Sequence, residues 1–570
     1  MRKLVVFIRL TYGNEAETME YEYDVIVVGA GFGGPVAAKK CADAGLRTLM
    51  IERSENVGEK VISGLTIPIY GFLFGPAFIR DGNPPIERPV DGIINYIIKD
   101  IEKGDIEIDD SLKIPKPFSP IYAFGYNAYC KPFCEWEARK AIESGAELRT
   151  STVVTDVIME AGCVKGLITE TGEKIRSRIV INAEGSQGLV AVKAGVRKRY
   201  PPETISLADV YDYEMPKDRL DEIFGFSLRF CWGWDEQRCA PPLGHGNGLM
   251  VWPYRNSIHY MHDQCLRMAS SNVPNLRKIL AEYHNNITSK LAWWKEDVAP
   301  HARLRAHMWE NFEIFVGLNR ELRSMPNHTD GMILVGDVAG LESTELCDGV
   351  PQAWISAEIA ADVAIEALKA NDTSCSFLSR YDKKIKAHPI LQWSISGKNR
   401  FNLRYAQKEH DLKKLKKLVH SGWGLGALTH MSTPLIKTIS RHIIVNPLIL
   451  IKWRKMFYRY YFNWHHEQFD YSELPASSGK GWRGRKDDAR FRAWFRPEQV
   501  FIMMVIPLIW VLAILSFPLA RTLNPAMKIL LPVIEPIYVG LLRISAPLAG
   551  WLSRRKVNRL ANCDPSFFEV

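Results

Sequence analysis

A six-residue run of β-branched and aromatic side chains, Tyr23 to Val28 (YDVIVV), leads directly into Gly29-Ala30-Gly31-Phe32-Gly33-Gly34. An alanine-rich stretch follows that reads as a helix through Gly45. Strand, glycine turn and helix in immediate succession leave few architectures open. Gly29 permits the tight turn, Gly31 lets the backbone approach a pyrophosphate, and Gly34, with Gly33 beside it, lets the helix pack closely on the strand. The phosphates then meet free N–H groups and the positive end of the helix dipole. A second strand, Leu46 to Ile51, ends at Glu52, roughly 20 residues past the glycines, where an acid accepts hydrogen bonds from ribose hydroxyls. That acid argues against a 2′-phosphate. Arg53 and Lys60, just downstream, join the candidate cofactor contacts.

A nicotinamide dehydrogenase continues with alternating strands and helices, but this chain turns after Ser54 into Pro/Gly-rich irregular sequence. Two later segments point to FAD instead. Residues Val153 to Glu184 read as a β-meander with a turn at Ala161-Gly162, returning to a strand that ends in Glu184-Gly185-Ser186. Gly331 to Gly340 (GMILVGDVAG) reads as a buried strand ending in Gly336-Asp337, ahead of a long helix from about Gly349 to Ala370.

In the order of these three motifs the chain resembles the flavoprotein superfamily typified by aromatic hydroxylases. Within it, the resemblance is to the group of geranylgeranyl reductases, FixC-type proteins and electron-transfer-flavoprotein:quinone oxidoreductases, over roughly residues 22 to 400. The resemblance implies FAD, with Asp337 on the ribitol chain and the following loop and helix start, Gly349 and Val350, cradling the isoalloxazine. It also implies that Ile62-Ser63-Gly64 passes close to the flavin, which makes Ser63 a candidate catalytic residue and Gly64 a cofactor contact. Two departures stand out. Cys130 and Cys134 occupy positions where the family commonly carries arginine and aspartate, leaving Lys131 as the replacement cation, and Glu184 replaces the usual aspartate while still able to point at the cofactor.

Between about 195 and 330 lies the expected substrate region. A strand from Gly248 to Tyr254 pairs across Arg255-Asn256-Ser257 with Ile258 to His262. Trp252 and Tyr254 are either substrate-binding aromatics or sheet-face core residues. Cys347 is expected beside the isoalloxazine, as a redox or proton-donating group or as a small buried hydrophobe, with Glu342, Glu345 and Asp348 near it either handling protons or solvated. Ten scattered cysteines, the closest pair spaced CxxxC, predict no metal or iron–sulfur site and no disulfide framework. His259, His262, His465 and His466 lack metal-ligand companions and read as surface or core residues.

The formal charge of +9 gives no indication of a nucleic-acid partner. The start of the chain reads as an extension over residues 1–21 without a signal peptide. Val500 to Ala520 runs without a charge for long enough to span a bilayer core, and Ile529 to Leu552 reads as a broken second span or an interfacial helix. Basic clusters flank both, and the aromatic, basic stretch from Leu435 to Trp464 suits a headgroup layer. The expected fold is therefore α/β, with a Rossmann-like FAD-binding domain (22–195 and 325–400), an inserted α+β substrate domain (196–324), a basic helical membrane-interface region (401–498) and a membrane anchor (499–570). The flavin body is expected on the cytoplasmic side of the inner membrane. The leading functional expectation is electron transfer from an electron-transfer flavoprotein or ferredoxin-like carrier to a membrane quinone. The alternatives are saturation of double bonds in an isoprenoid lipid or quinone, and a flavin-bearing subunit of a membrane redox complex.

Overall fold

The computed structural model describes residues 21–391 and 394, except 60–63, 83, 91, 101–102, 110–124, 201–204, 226, 233–247, 266–275, 314–324, 343–347 and 389. The apolar run Tyr23–Val28 forms the middle of an eight-stranded sheet, where it lies parallel to Lys174–Asn182 on one side and to Thr48–Ile51 on the other. Met332–Leu334 extends the sheet beyond Asn182, and Glu147–Arg149 extends it beyond Ile51, both in parallel. Strands buried on both faces need no polar alternation, which is why Val25, Ile26 and Val27 follow one another with no exposed surface. The faces are covered by the helices Gly33–Asp43, Cys130–Glu143 and Val350–Ala370, the first packing against each of the other two.

The meander forms as expected: Val154–Glu160 and Cys163–Thr169 pair antiparallel, and the latter pairs with the outer half of Lys174–Asn182. Ala161 and Gly162 both have positive φ, 49° and 81°, which is the backbone a two-residue hairpin turn of matching twist requires.

A second, seven-stranded sheet runs in the order Arg303–Glu313, Ile205–Glu214, Ser257–Cys265, Gly248–Pro253, Ser227–Trp232, Gly92–Asp100, Asp105–Asp109. The expected hairpin is present, with Trp252 opposite His259. Two of the seven strands come from residues 92–109, a stretch that sequence had grouped with the first domain. Gly92–Asp100 enters by parallel pairing with Ser227–Trp232, a long-range contact that no local pattern announces. Helix Leu276–Lys290 lies against the sheet over a core of Tyr211, Tyr213, Tyr260, Trp293 and Trp294.

A small sheet of Gly64–Pro68, Gly125–Tyr129 and Arg88–Val90 joins the two large ones. Its joint is polar and buried. Arg88, with no exposed surface, pairs with Asp221 at 2.8 Å and donates to the carbonyls of Tyr254 (2.8 Å) and Gly225 (2.7 Å). Asn127 Nδ2 donates to the Pro253 carbonyl at 2.8 Å.

Among the described residues no helix is long and apolar enough to cross a membrane. The segments read as membrane spans, together with the whole of 401–570 and the first 20 residues, lie outside the described residues.

Two outcomes follow from buried charge. Arg88→Ala removes one partner of a buried ion pair together with its bonds to two carbonyls, so a loss of about 3–5 kcal/mol is expected, read as a large drop in melting temperature; an unchanged value would contradict the joint. Glu137 is fully buried with neither carboxyl oxygen in a well-formed hydrogen bond among the described residues, and burial holds its pKa well above the carboxylate range against a smaller opposing effect of the Trp354 indole. Folding must then take up a proton at any pH above the unfolded value of about 4.5 and below the folded one. Glu137→Gln is expected to melt higher than wild type at pH 7, with the gap closing as pH falls toward 4; a lower melting temperature at neutral pH would show that the charged form is held.

Candidate functional site

The glycine turn is built by backbone contacts that admit no side chain. Gly29 donates to the Ile51 carbonyl at 2.7 Å and has φ +92°, and a Cβ there would meet the Ala183 carbonyl oxygen at 2.6 Å. A Cβ on Gly34 would fall 1.9 Å from the Gly29 oxygen, so helix and strand touch backbone to backbone. Gly31 differs: no atom lies within 4 Å of where its Cβ would be. Open space at the start of a helix that has no side-chain cap suits the close approach of a pyrophosphate. Gly33 lies against Ala353 of the long helix.

Glu52 braces this turn from the end of the neighbouring strand. Its Oε2 accepts from the Ala30 N–H at 2.9 Å and its Oε1 from the Ser54 N–H at 3.0 Å, and each oxygen retains lone-pair capacity for a ribose hydroxyl. Arg53 donates to Gln187 at 2.8 Å, tying the loop after the second strand to the loop after Asn182. Lys131 lies at the start of its helix, 3.9 Å from Glu59 and half exposed, with Gly58 packed against its backbone. Cys130 and Cys134 are buried, and burial above all holds the Cys134 thiol protonated.

The Glu184 carboxylate accepts from the N–H groups of Val190 and Ala191, both at 2.9 Å, and from Asn182 Nδ2 at 2.7 Å. The longer side chain thus reaches the free donors of the short helix Leu189–Lys193. Gly185, with φ +71°, begins the turn that makes this possible.

On the other side of the central strand, Gly336 (φ +65°) donates to Ser356 Oγ at 3.0 Å and Asp337 sits in a tight turn at the strand's carboxyl end. A Cβ on Gly349 would lie 3.1 Å from Asp337 Oδ1, which places the Gly-Asp motif against the start of the helix Val350–Ala370. Asp348, just before it, accepts a short hydrogen bond from the hydroxyl of fully buried Tyr70. Burial, chiefly, and the Asp337 charge raise the Asp348 carboxyl to about 7, against the lowering effect of Tyr70 and the Val350 N–H.

Gly64 connects this junction to the second sheet. Its N–H donates to His259 Nδ1 at 2.8 Å, and the Tyr254 hydroxyl lies over its Cα. Tyr254 is fully buried, stacked on Tyr129 at 4.4 Å between ring centroids, and its hydroxyl has no hydrogen-bond partner among the described residues. His259 continues to Asp212 (3.4 Å), and Asp212 to Arg305 (2.6 Å); burial opposes the charge on Asp212, but His259 and Arg305 together hold its carboxyl below the usual range. Trp252 is buried opposite His259. Lys60, Ser63 and Cys347 lie outside the described residues. Sequence reading missed Tyr70, which sits in the plain apolar run IYGFLF, and the hold of His259 on Gly64, which only the pairing of 248–253 with 257–265 could have hinted at.

These groups fit FAD: an open glycine turn for phosphates, Glu52 and Asp337 for hydroxyls, and a long helix aimed by its N-terminus at the ring end. Among the described residues no cluster of His, Cys, Asp and Glu could hold a metal. Gly31→Val is expected to fold with an unchanged melting temperature of the flavin-free protein yet purify without flavin absorbance, whereas Gly34→Val should lose both fold and flavin. Bound flavin in Gly31→Val would contradict the placement of the phosphates.

Comparison with known proteins agrees with this geometry. The chain is 25% identical over 456 residues to the digeranylgeranylglycerophospholipid reductase of Methanosphaerula palustris, covering 76% of this chain and 98% of that one. It is 25% identical over 392 residues to the FixC protein of Escherichia coli O157:H7, covering 65% and 82%. A solved geranylgeranyl bacteriochlorophyll reductase-like structure from Thermoplasma acidophilum shares the fold, at TM-score 0.54 and 22% identity over 76% of this chain and 99% of that one. The family described as FAD dependent oxidoreductase matches residues 24–315, just over half of the sequence, and the chain belongs to that family of flavoenzymes.

Proposed function

We propose that this flavoenzyme saturates carbon–carbon double bonds in the isoprenoid chain of a lipid. Such a reaction needs a hydride on one alkene carbon and a proton on the other. FAD, once reduced, supplies the hydride. The chain must supply the rest: a proton held at a defined atom, in a place from which water is excluded.

The observation that carries the reading is the Tyr254 hydroxyl. It is fully buried, has no partner among the described residues, lies over Gly64, and is stacked on Tyr129 beside the His259 ring. Burial above all raises its pKa well above the ordinary tyrosine value, so Oη keeps its proton and presents a neutral donor. With Gly64 N–H at Nδ1, the His259 ring turns its Nε2 toward Asp212, and Arg305 extends that chain toward solvent. Tyr254 is assigned as proton donor, and His259 positions Gly64.

Similarity to the archaeal lipid reductase runs over nearly that protein's whole length and more of this chain than the FixC match does, which supports this reading over the quinone reading that sequence alone had favoured. The FixC match supports a second reading, in which an electron-transfer flavoprotein or ferredoxin-like carrier delivers electrons that leave for a quinone. Either acceptor dissolves in the bilayer, and the apolar segments Val500 to Ala520 and Ile529 to Leu552 are assigned to holding the enzyme there, with the flavin body on the cytoplasmic face.

The deciding experiment is anaerobic single turnover of the detergent-solubilised, dithionite-reduced protein, offered a geranylgeranyl lipid or a quinone analogue. The lipid should gain two hydrogens per double bond by mass spectrometry, and Tyr254→Phe should slow that saturation by about 10²-fold or more with flavin content intact. Reoxidation by the quinone alone, with the lipid mass unchanged, would sink the reductase reading in favour of electron transfer.

A further inference from the structure

Several groups converge where the strand Met332–Leu334 ends and the helix Val350–Ala370 begins. Tyr70, on the short helix Ile69–Phe74, donates to Asp348 Oδ2. Gln352 Nε2 lies 3.5 Å from the Tyr70 hydroxyl and 3.1 Å from Ser394 Oγ, while Gln352 Oε1, with no exposed surface, has no partner among the described residues. A Cβ on Gly349 would come within 3.1 Å of Asp337 Oδ1 and 3.2 Å of the Glu342 Cβ, so the Asp337 carboxyl faces the residue next to Asp348 and the Glu342 side chain starts beside it. Among the described residues the titratable groups shown to act on Asp348 are Tyr70 from the short helix and Asp337 from the strand end, neither of them a cation.

Ligands of open parallel sheets bind outside the carboxyl ends of the strands, and these groups sit at that end, one residue from the helix start that completes the FAD site. Reduction adds negative charge to such a site. A carboxylate beside it opposes that charge; a neutral carboxyl does not. The Tyr70 hydrogen bond fixes where the carboxyl sits and favours its charged form, so protonation remains in play near neutrality.

We propose that Asp348, positioned by Tyr70, takes up a proton from solvent when the bound FAD is reduced. The electrons come from the reductant, dithionite or an electrode in the laboratory, and go to the cofactor. The additional proton ends as the carboxyl O–H of Asp348, and no bond to carbon is made or broken. The inference rests on FAD binding and holds whichever acceptor the enzyme uses.

The test is spectroelectrochemical titration of the FAD-loaded full chain from about pH 6 to 9, for wild type, Asp348→Asn and Tyr70→Phe. One additional proton per two electrons contributes about 30 mV per pH unit. The wild-type potential should therefore fall more steeply than that of Asp348→Asn, by up to about that slope, leaving the variant at the higher potential at the alkaline end. Tyr70→Phe removes a bond that favours the carboxylate, so its steep region should move to higher pH. In wild type the reduced-minus-oxidised infrared difference spectrum should gain a protonated-carboxyl band. That measurement and Tyr70→Phe decide the matter should Asp348→Asn fail to retain flavin. Parallel potential curves for wild type and Asp348→Asn, or no carboxyl band on reduction, would overturn the proposal. A failure of lipid saturation with these shifts intact would overturn only the acceptor assignment.

Discussion

The architecture depends on one contact between backbones. At Gly34 the first helix comes so near the Gly29 carbonyl that a single added carbon would sit 1.9 Å from it. That approach sets the helix N-terminus over the strand end, leaves the space at Gly31 open and brings Ala183 of the neighbouring strand against Gly29. The rest of the cofactor end follows from it. Glu52 reaches the Ala30 N–H across this tight turn, and the long helix lies where a Cβ on Gly33 would make ordinary van der Waals contact.

The second constraint is the way charge is distributed around the site. Acids at the phosphate and ribose end accept hydrogen bonds from backbone N–H groups. Glu52 does this for the turn, and Glu184 does it for the short helix Leu189–Lys193. At the ring end the balance reverses: Asp348 sits beside another carboxylate and a buried tyrosine, and its carboxyl titrates near neutrality. Between the two, Arg88, Asn127 and His259 attach the second sheet through buried polar bonds to backbone. A joint of that kind fixes position more sharply than apolar packing does, and it places Tyr254 against Gly64.

Much of this was legible because local patterns dictated it. The strand, turn and helix at Tyr23–Asp43, the meander ending at Asn182, the Gly-Asp turn and the pairing of Trp252 with His259 are short-range consequences of periodicity and turn chemistry. The part that escaped is long-range. Residues 92–109 join a sheet whose other strands begin more than 100 residues later, by a parallel pairing with Ser227–Trp232 that leaves no local trace. The same holds for side chains: whether Glu184 faces a ligand or a helix end depends on where Val190 lies, and Tyr70 gains its role only when Asp348 arrives from the far end of the chain. Lys60, Ser63 and Cys347, singled out by resemblance, lie outside the described residues.

The open turn at Gly31 and the junction of Asp337 with Gly349 fit the two ends of one FAD site. A crystal structure of the FAD-loaded protein would decide this. The pyrophosphate is expected over Gly31 at the N-terminus of helix Gly33–Asp43, ribose hydroxyls on Glu52, the ribitol on Asp337, and the ring edge at Gly349–Val350 beside Asp348, with Glu184 still bonded to Val190 and Ala191. Flavin density away from the glycine turn, or a ring displaced from the start of the long helix, would contradict it.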